Sequence, residues 1–454
     1  MEKFDRFYFE GFEFDRLTLK AKFFYSFDKK VDFEEEIDFS CDFLNIRKDF
    51  DENIFENMLF SLSLAVGVSY YKAYPTKELI VESGFLSDDD KLFWQKFYRN
   101  GLGEFLYTNN LNPEGLFNFV SNSEKIYKKI DFQTSEKSLL PLGGGKDSIV
   151  SAEILRKNSL EFTPIIFGKS DQIKENCLKV MGEKAILIKR YMSQTLFNML
   201  DNGYYNGHVP ITGIISFVLF ATAYLYDYKY IILSNEKSAN TGNTNIGDLE
   251  VNHQYSKSLE FEQDLANYVT KNLTSTIKYF SLLRGMYEIK IAEIFSKIGK
   301  KYFGFFSSCN NNFRIKKKVS IKSGIWCNSC PKCAFVYSIL RPFITDKENL
   351  AIFGKELYED KNLEQIFREL LGISGIKPFE CVGEEEEMIY AMDLHLKNLK
   401  NKMENIPFIL QIFEKEVKNK YDNANFEDIK EKLFKIYNDE TLIPEKFSKI
   451  ITNN

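Results

Sequence analysis

The chain has 454 residues and a formal net charge of −5, with acidic and basic residues interspersed. That length suffices for two or three domains with an ample core, and the charge pattern offers neither a basic nucleic-acid surface nor a polybasic membrane patch, so neither partner is expected. The opening MEKFDRFYFEGFEFDR mixes aromatic and charged residues where a secretory signal would carry a basic segment and an apolar core, so a cytoplasmic location is expected.

Residues 1–135 open on aromatic and charged residues in alternation, as in Phe4-Asp5-Arg6-Phe7-Tyr8-Phe9-Glu10. This period of two predicts antiparallel strands, followed by helices around Asn53–Ser69 and Asp89–Tyr98, in an α+β domain. From Lys137 the rhythm changes to strand and helix in turn. Apolar runs at Leu139–Leu142, Thr163–Phe167, Ala185–Ile188, Lys229–Leu233 and Tyr302–Phe306 predict a doubly wound parallel sheet over residues 136–335. Ligands of such sheets bind beyond the carboxyl ends of the strands. The glycines after Leu142, Gly168 after Phe167, and Ser234-Asn235-Glu236 after Leu233 are therefore expected to converge. Val209–Tyr226 is free of formal charge and at the margin of a membrane span, but contains Pro210, Thr212, Gly213, Ser216 and Thr222 and is expected as a buried helix. Residues 336–454 read as helical, with amphipathic stretches at Glu356–Leu371, Glu384–Lys397 and Phe426–Asn438; Glu384–Glu387 reads as a solvated helix start.

The most informative stretch is Leu139–Arg156, LLPLGGGKDSIVSAEILR. A strand that ends in glycines and feeds a helix presents free N–H groups to an anion, with the helix dipole favouring negative charge. Walker A spacing does not fit, and a dinucleotide fingerprint would need glycine where Ser148 stands. Gly143-Gly144-Gly145-Lys146-Asp147-Ser148 instead resembles the Ser-Gly-Gly-x-Asp-Ser signature of the PP-loop ATP pyrophosphatases, with glycine at the usual first serine.

Ser234–Glu262 is the densest polar stretch and follows a predicted strand, where α/β enzymes place substrate-reading groups; a solvated loop is the plain alternative. The chain has three histidines. His253 and Lys257, four residues apart, are placed on one helical face toward the crevice. His208 either reaches phosphate or caps a turn. The seven cysteines argue against a disulfide framework in the cytosol. Cys327-x-x-Cys330-x-x-Cys333, with Cys309 upstream, has the ligand types of a structural zinc site and resembles that of 7-cyano-7-deazaguanine synthase, itself a PP-loop enzyme. Reduced buried thiols, a catalytic thiol and iron–sulfur ligation are the alternatives.

In order along the chain, GGGKDS, Gly207-His208-Val209-Pro210-Ile211-Thr212-Gly213, SNEKSANTGN, VNHQYSKSLEFE and Trp326-Cys327-Asn328-Ser329-Cys330-Pro331-Lys332-Cys333 resemble the UDP-N-acetylmuramoyl-L-alanyl-L-glutamate epimerases of bacterial cell-wall synthesis. The resemblance implies a PP-loop, HUP-like core and an ATP-dependent inversion of the terminal L-glutamate. Its carboxylate is adenylated with release of pyrophosphate, the α-carbon is deprotonated and reprotonated on the other face, and hydrolysis leaves D-glutamate and AMP. It further implies that Gly143, Gly144, Gly145 and Ser148 hold pyrophosphate, that Lys146 offsets phosphate charge, and that Phe167 and Gly168 border ATP. Asp147 would hold Mg²⁺ or the helix start. His253 and Lys257 lead for proton transfer or phosphate stabilisation, with Glu236 and Tyr255 as competitors. Asn235, Asn240 and Asn243 would read a substrate carboxylate or ribose, and Arg284 an anionic group, with caps, turns and surface contacts as the plain alternatives. The UDP and muramoyl portions are expected against the aromatic N-terminal region. Two alternatives stay open: another PP-loop adenylating ligase or amidotransferase-like enzyme acting on tRNA or a deazapurine, and a nucleotide-binding module without turnover.

Overall fold

The computed structural model describes residues 2–168, 171–312, 325–438 and 441–451. The chain begins with a meander, β1 (Arg6–Asp15), β2 (Lys20–Phe27) and β3 (Val31–Asp38), in which β2 pairs antiparallel with both neighbours. Alternation works as expected at its start: Phe7 and Phe9 of β1 are buried, Tyr8 between them is half-buried and Arg6 is exposed. Helix α1 (Glu52–Tyr71) then covers this sheet, started by the Asp51 carboxylate accepting from the Asn53 amide. The segment continues through β4 (Glu78–Val81), α2 (Asp88–Gly101), α3 (Gly103–Thr108) and β5 (Asn118–Ser121), with a Ser87–Asp90 capping box opening α2.

The second segment alternates as predicted. It runs β6 (Ser138–Pro141), α4 (Lys146–Lys157), β7 (Thr163–Phe167), α5 (Gln172–Met181), β8 (Ile186–Tyr191), α6 (Gln194–Asp201), α7 (Ile211–Leu225) and β9 (Tyr230–Leu233). A small hairpin, β10 (Thr244–Ile246) and β11 (Leu249–Val251), precedes α8 (Leu259–Asn272), β12 (Lys278–Ser281), α9 (Glu288–Ile298) and α10 (Pro331–Leu340). The five parallel strands lie in the order β12-β9-β6-β7-β8. Numbered along the chain this is five, four, one, two, three, so the winding reverses between β6 and β9, and a crevice opens there. Neighbouring residues on each strand enter opposite cores: Leu139, Ile165 and Ile231 face α1, α7 and α8, whereas Leu140, Ile166 and Ile232 face α4, α9 and α10. Helices thus cover both faces. The 15-residue α7 is the expected buried helix, and no helix among the described residues is long and apolar enough to cross a membrane.

Three expectations need correction. Tyr302–Phe306 is not a strand; it begins as a 3₁₀ turn at Lys300–Tyr302, and the fifth parallel strand is β12, a four-residue segment. Glu356–Leu371 is not one helix but two 3₁₀ turns followed by α12 (Glu364–Leu370), after α11 (Asp346–Phe353). The remainder is α13 (Glu385–Lys402), α14 (Phe408–Glu416), α15 (Asn423–Phe434) and α16 (Glu445–Ile451). Nor is the acidic start of α13 wholly solvated: Glu387 has no exposed surface and accepts from the Ile289 amide at 2.9 Å and the Glu384 amide at 2.7 Å. It thereby caps two helices.

The two strand systems form one ten-stranded sheet because β3 pairs antiparallel with β8, Asp38 lying opposite Lys189 and Ile37 opposite Arg190. At this seam the Arg190 guanidinium holds the fully buried Glu35 carboxylate with bonds of 2.6 and 2.9 Å, and the Tyr70 hydroxyl donates to the same carboxylate at 2.6 Å. Arg190→Ala should lower the unfolding free energy by about 3 kcal/mol, because a buried carboxylate is left without its counter-charge. The double variant Glu35→Gln/Arg190→Met should lose less. Urea denaturation midpoints of the two distinguish them.

Candidate active site

The glycine turn sits at the end of β6, at the winding reversal. Gly144 has φ +83°, a conformation that disfavours side chains, and a Cβ there would lie 2.6 Å from Ile173 Cγ2. Gly145 is the N-cap of α4 and offers no side-chain cap, so the first N–H groups of α4 receive no capping side chain. A Cβ on Gly145 would meet the Ser308 hydroxyl at 2.7 Å; that hydroxyl is buried and has no hydrogen-bond partner among the described residues. Around Gly143 a Cβ would find no atom of the described residues within 4 Å. The Ser148 hydroxyl donates to the Gly145 carbonyl at 3.2 Å. Phe167 and Gly168 end β7 on the same sheet edge, where Gly168 has φ +85°.

Lys146 is turned inward. Its ammonium has no exposed surface and bonds Asp147 Oδ1 and Glu288 Oε2, both at 2.5 Å. The second Glu288 oxygen accepts from Lys332 Nζ at 3.0 Å. This chain of charges ties α4 to α9 and α10. Burial works against the Lys146 charge, but the Asp147 and Glu288 carboxylates outweigh it and raise its pKa. Glu236, also buried, is driven upward by burial and by the Glu288 charge, while Glu288, despite its burial, is driven down by Lys146 and Lys332.

Arg284, expected to reach an anion, is nearly fully buried and braces the site from behind. It pairs with Glu262 at 2.7 Å and donates to the backbone carbonyls of Glu236 at 2.8 Å and Lys257 at 2.7 Å. Two residues expected to carry chemistry are thus fixed by one guanidinium. Asn243 is likewise a brace: its amide donates to the Lys377 and Pro378 carbonyls at 3.2 and 2.9 Å, and its oxygen accepts from the His253 amide at 2.9 Å. Asn240 accepts from the Leu259 amide at 2.8 Å at the start of α8. Tyr255 packs on Phe261, 5.7 Å between ring centres, and Asn235 lies buried next to Glu236.

His253 and Lys257 do converge, although a 3₁₀ turn at Tyr255–Lys257, not an α-helix, brings them together. Their meeting point is a residue without any spacing signal, Cys381. Lys257 Nζ donates to its Sγ at 3.3 Å, and His253 hydrogen-bonds the same thiol. The other side of His253 is held by Glu104 of α3 through Nδ1, and Glu104 also lies 3.4 Å from His208 Nδ1. The two imidazoles are 4.5 Å apart. Burial alone would raise the Cys381 thiol, but Lys257 and His253 bring it down to about 5. His253, disfavoured as a cation by burial, is raised to about 10 by Cys381 and Glu104, whereas burial and the His253 charge push His208 well below the usual histidine range. The backbone around Cys381 is pinned by Asn243 and by Gln254 Nε2, which donates to the Val382 carbonyl at 3.1 Å. No sequence spacing pointed to Cys381, because its partners come from segments more than a hundred residues away.

The four clustered cysteines also come together. The sulfurs of Cys309, Cys327, Cys330 and Cys333 all lie within 4.8 Å of one another, with Cys327 and Cys330 at 3.6 and 3.5 Å from Cys333. A tetrahedral zinc with bonds of about 2.3 Å needs sulfur separations of about 3.8 Å, so the donor set fits. The cluster is linked to the glycine turn: the Ser307 amide donates to the Gly144 carbonyl at 3.0 Å, and the Ser307 hydroxyl accepts from the Cys309 amide at 3.1 Å.

Two family models cover most of the sequence, the MurL N-terminal domain at residues 1–282 and the MurL C-terminal domain at residues 305–427. The chain belongs to the MurL family. Among its MurL relatives, each named UDP-N-acetyl-alpha-D-muramoyl-L-alanyl-L-glutamate epimerase, a protein of Xanthomonas oryzae pv. oryzae is 36% identical over 331 residues, 73% of this chain and 72% of the relative. One from Salinispora tropica is 33% identical over 400 residues, covering 87% of this chain and 85% of its own. A third, from a Micromonospora species, is 35% identical with 73% of each chain covered. Glu104, His253 and Lys257 fall within the first MurL match and Cys381 within the second, so the site is shared between them.

The charge pattern predicts how Cys381 reacts. Because its thiol is held near 5, the thiolate persists at low pH, and iodoacetamide should modify Cys381 at pH 6 at nearly the rate seen at pH 8, with the fall only below about pH 5. Peptide mapping by mass spectrometry reads the rate residue by residue. Lys257→Met should move the fall to higher pH.

Proposed function

We propose that this chain inverts the terminal L-glutamate of UDP-N-acetylmuramoyl-L-alanyl-L-glutamate by way of an ATP-derived carboxyl adenylate, supplying a D-glutamyl precursor for peptidoglycan. The observation that carries this is the uncapped glycine turn at the winding reversal, joined through Lys146, Glu288 and Lys332 to a cluster of acid and base groups. The names of the MurL relatives supply the substrate.

Adenylation suits this chemistry. An α-proton beside a free carboxylate is hard to remove, because the enolate gathers a second negative charge; esterified to AMP, the carboxyl carries none and becomes an electron sink. In this scheme the N–H groups at Gly144, Gly145 and the start of α4 hold the polyphosphate, with the Ser148 and Ser308 hydroxyls as further donors. Lys146 does not touch phosphate. It holds Asp147 and Glu288 in place from within. Asp147, whose side chain is 24% exposed, is the carboxylate suited to Mg²⁺, and the metal would offset charge on the departing pyrophosphate. Arg284 orients Glu236 and Lys257. The UDP and muramoyl portions are assigned to the aromatic N-terminal region, which contributes Glu104 to the cluster. We assign the four thiols to a structural zinc that keeps Ser307 against the glycine turn.

Incubation with UDP-N-acetylmuramoyl-L-alanyl-L-glutamate, ATP and Mg²⁺ should yield AMP, pyrophosphate and a D-glutamyl product, read by chiral analysis after hydrolysis. Unchanged stereochemistry refutes the epimerase assignment. Asp147→Asn should reduce pyrophosphate release by about 10²-fold or more with an unchanged circular dichroism spectrum. Elemental analysis should find about one zinc per chain, lost in Cys330→Ser and Cys333→Ser together with most of the turnover.

A further inference from the structure

Cys381 stands outside the roles assigned so far, yet it has the most elaborate surroundings of any thiol in the chain. Cys177, the other cysteine outside the four-thiol cluster that lies within the α/β core, is enclosed by apolar side chains. Cys381 is half-buried, with Lys257 Nζ at 3.3 Å and with His253 hydrogen-bonded to it. His253 is itself oriented by the Glu104 carboxylate. Carboxylate, imidazole and thiol in series is the arrangement that keeps a sulfur deprotonated and fixed in direction. It costs the protein two half-buried cations and calls on three separate braces, Asn243, Gln254 and Arg284. A merely structural cysteine requires none of this.

The cluster also borders the glycine-turn network. Lys257 feels the charges of Glu236 and Asp147, and Lys332, which pairs with Glu288, helps to hold the negative charge on Cys381. The thiol is thus joined electrostatically to the glycine-turn network, where the adenylate is expected.

We infer that Cys381 is the acid/base group at one face of the glutamyl α-carbon, with His253 and Lys257 as its positioning residues. This role rests on the epimerase assignment above. The thiolate lone pair takes the α-proton, forming the thiol. The C–H electron pair moves into the acyl group to give the enolate of the adenylate. The opposite face takes a proton from a solvent-exchanged acid, water or the Glu236 carboxyl, and the enolate pair returns to form the new C–H bond. Lys257 does not supply that opposite proton, since 3.3 Å between its nitrogen and the sulfur leaves no room for a carbon between them. It instead keeps a cation beside the reacting centre whether the negative charge rests on sulfur or on the enolate.

The test separates the two half-reactions in Cys381→Ala and Cys381→Ser, using the full chain with substrate, ATP and Mg²⁺ in deuterium oxide. Deuterium incorporation at the glutamyl α-carbon should fall by about 10³-fold, while pyrophosphate release falls by less than about tenfold. Wild-type protein alkylated at Cys381 by iodoacetamide should show the same split, which covers the case of a variant that folds poorly. Retained deuterium exchange in the variants overturns the assignment. So does an equal loss of exchange and pyrophosphate release, which would place the sulfur at adenylation or make it an acyl acceptor. A wild-type protein that releases pyrophosphate without inverting glutamate removes the underlying epimerase assignment itself, and is recognised without any variant.

Discussion

A lysine ammonium with no exposed surface sits in the first turn of the helix that follows the glycine loop, and much of the site is arranged to balance it. An isolated charge in that position would cost several kcal/mol. Asp147 and Glu288 neutralise Lys146, Lys332 then balances Glu288, and the resulting alternation of charge fixes three helices around one turn of backbone. Glu387 caps α9 at the amide next to Glu288, so the acidic start of α13 is drawn into the same network. The glycine turn is held by electrostatic pairing from below.

Around this base the braces follow one pattern: side chains that resemble ligand readers hold backbone instead. Arg284 grips two carbonyls, Asn243 grips two carbonyls and an amide, and Gln254 grips a third strand of loop. They leave the functional ends of Lys257, His253 and Cys381 pointing at one another. Precision of this kind is what a site needs when the reacting atoms must be held within a fraction of an ångström.

Much of the architecture was legible in the residues. The period of two in β1 to β3, the alternation from Lys137 onward and the glycine turn all reflect local physics that a sequence carries directly. Tyr302–Phe306 and β12 were confused because both are short aromatic runs, and only β12 has β9 beside it to complete its hydrogen bonds. Glu387 was misplaced because burial of a carboxylate depends on a distant amide. In the candidate site, His253 and Lys257 were singled out by their spacing on a polar segment, and the structure brings both to Cys381. Cys381 was not, since Pro378-Phe379-Glu380-Cys381-Val382 has no periodicity or partner nearby, and its significance arises only when Lys257 arrives from 124 positions away.

The seam between β3 and β8 has a temporal side. Asp38 meets Lys189, so β3 leaves the ribosome some 150 residues before its neighbour exists. At ordinary synthesis rates that is on the order of ten seconds with a bare strand edge, the kind of surface that recruits other chains. The strand waiting through that interval is Val-Asp-Phe-Glu-Glu-Glu-Ile-Asp, whose acidic side chains repel a second copy of itself. The partner that finally arrives carries Lys189 and Arg190, opposite in sign. The same charges that close the sheet in the finished molecule thus keep its unfinished half from closing on the wrong one.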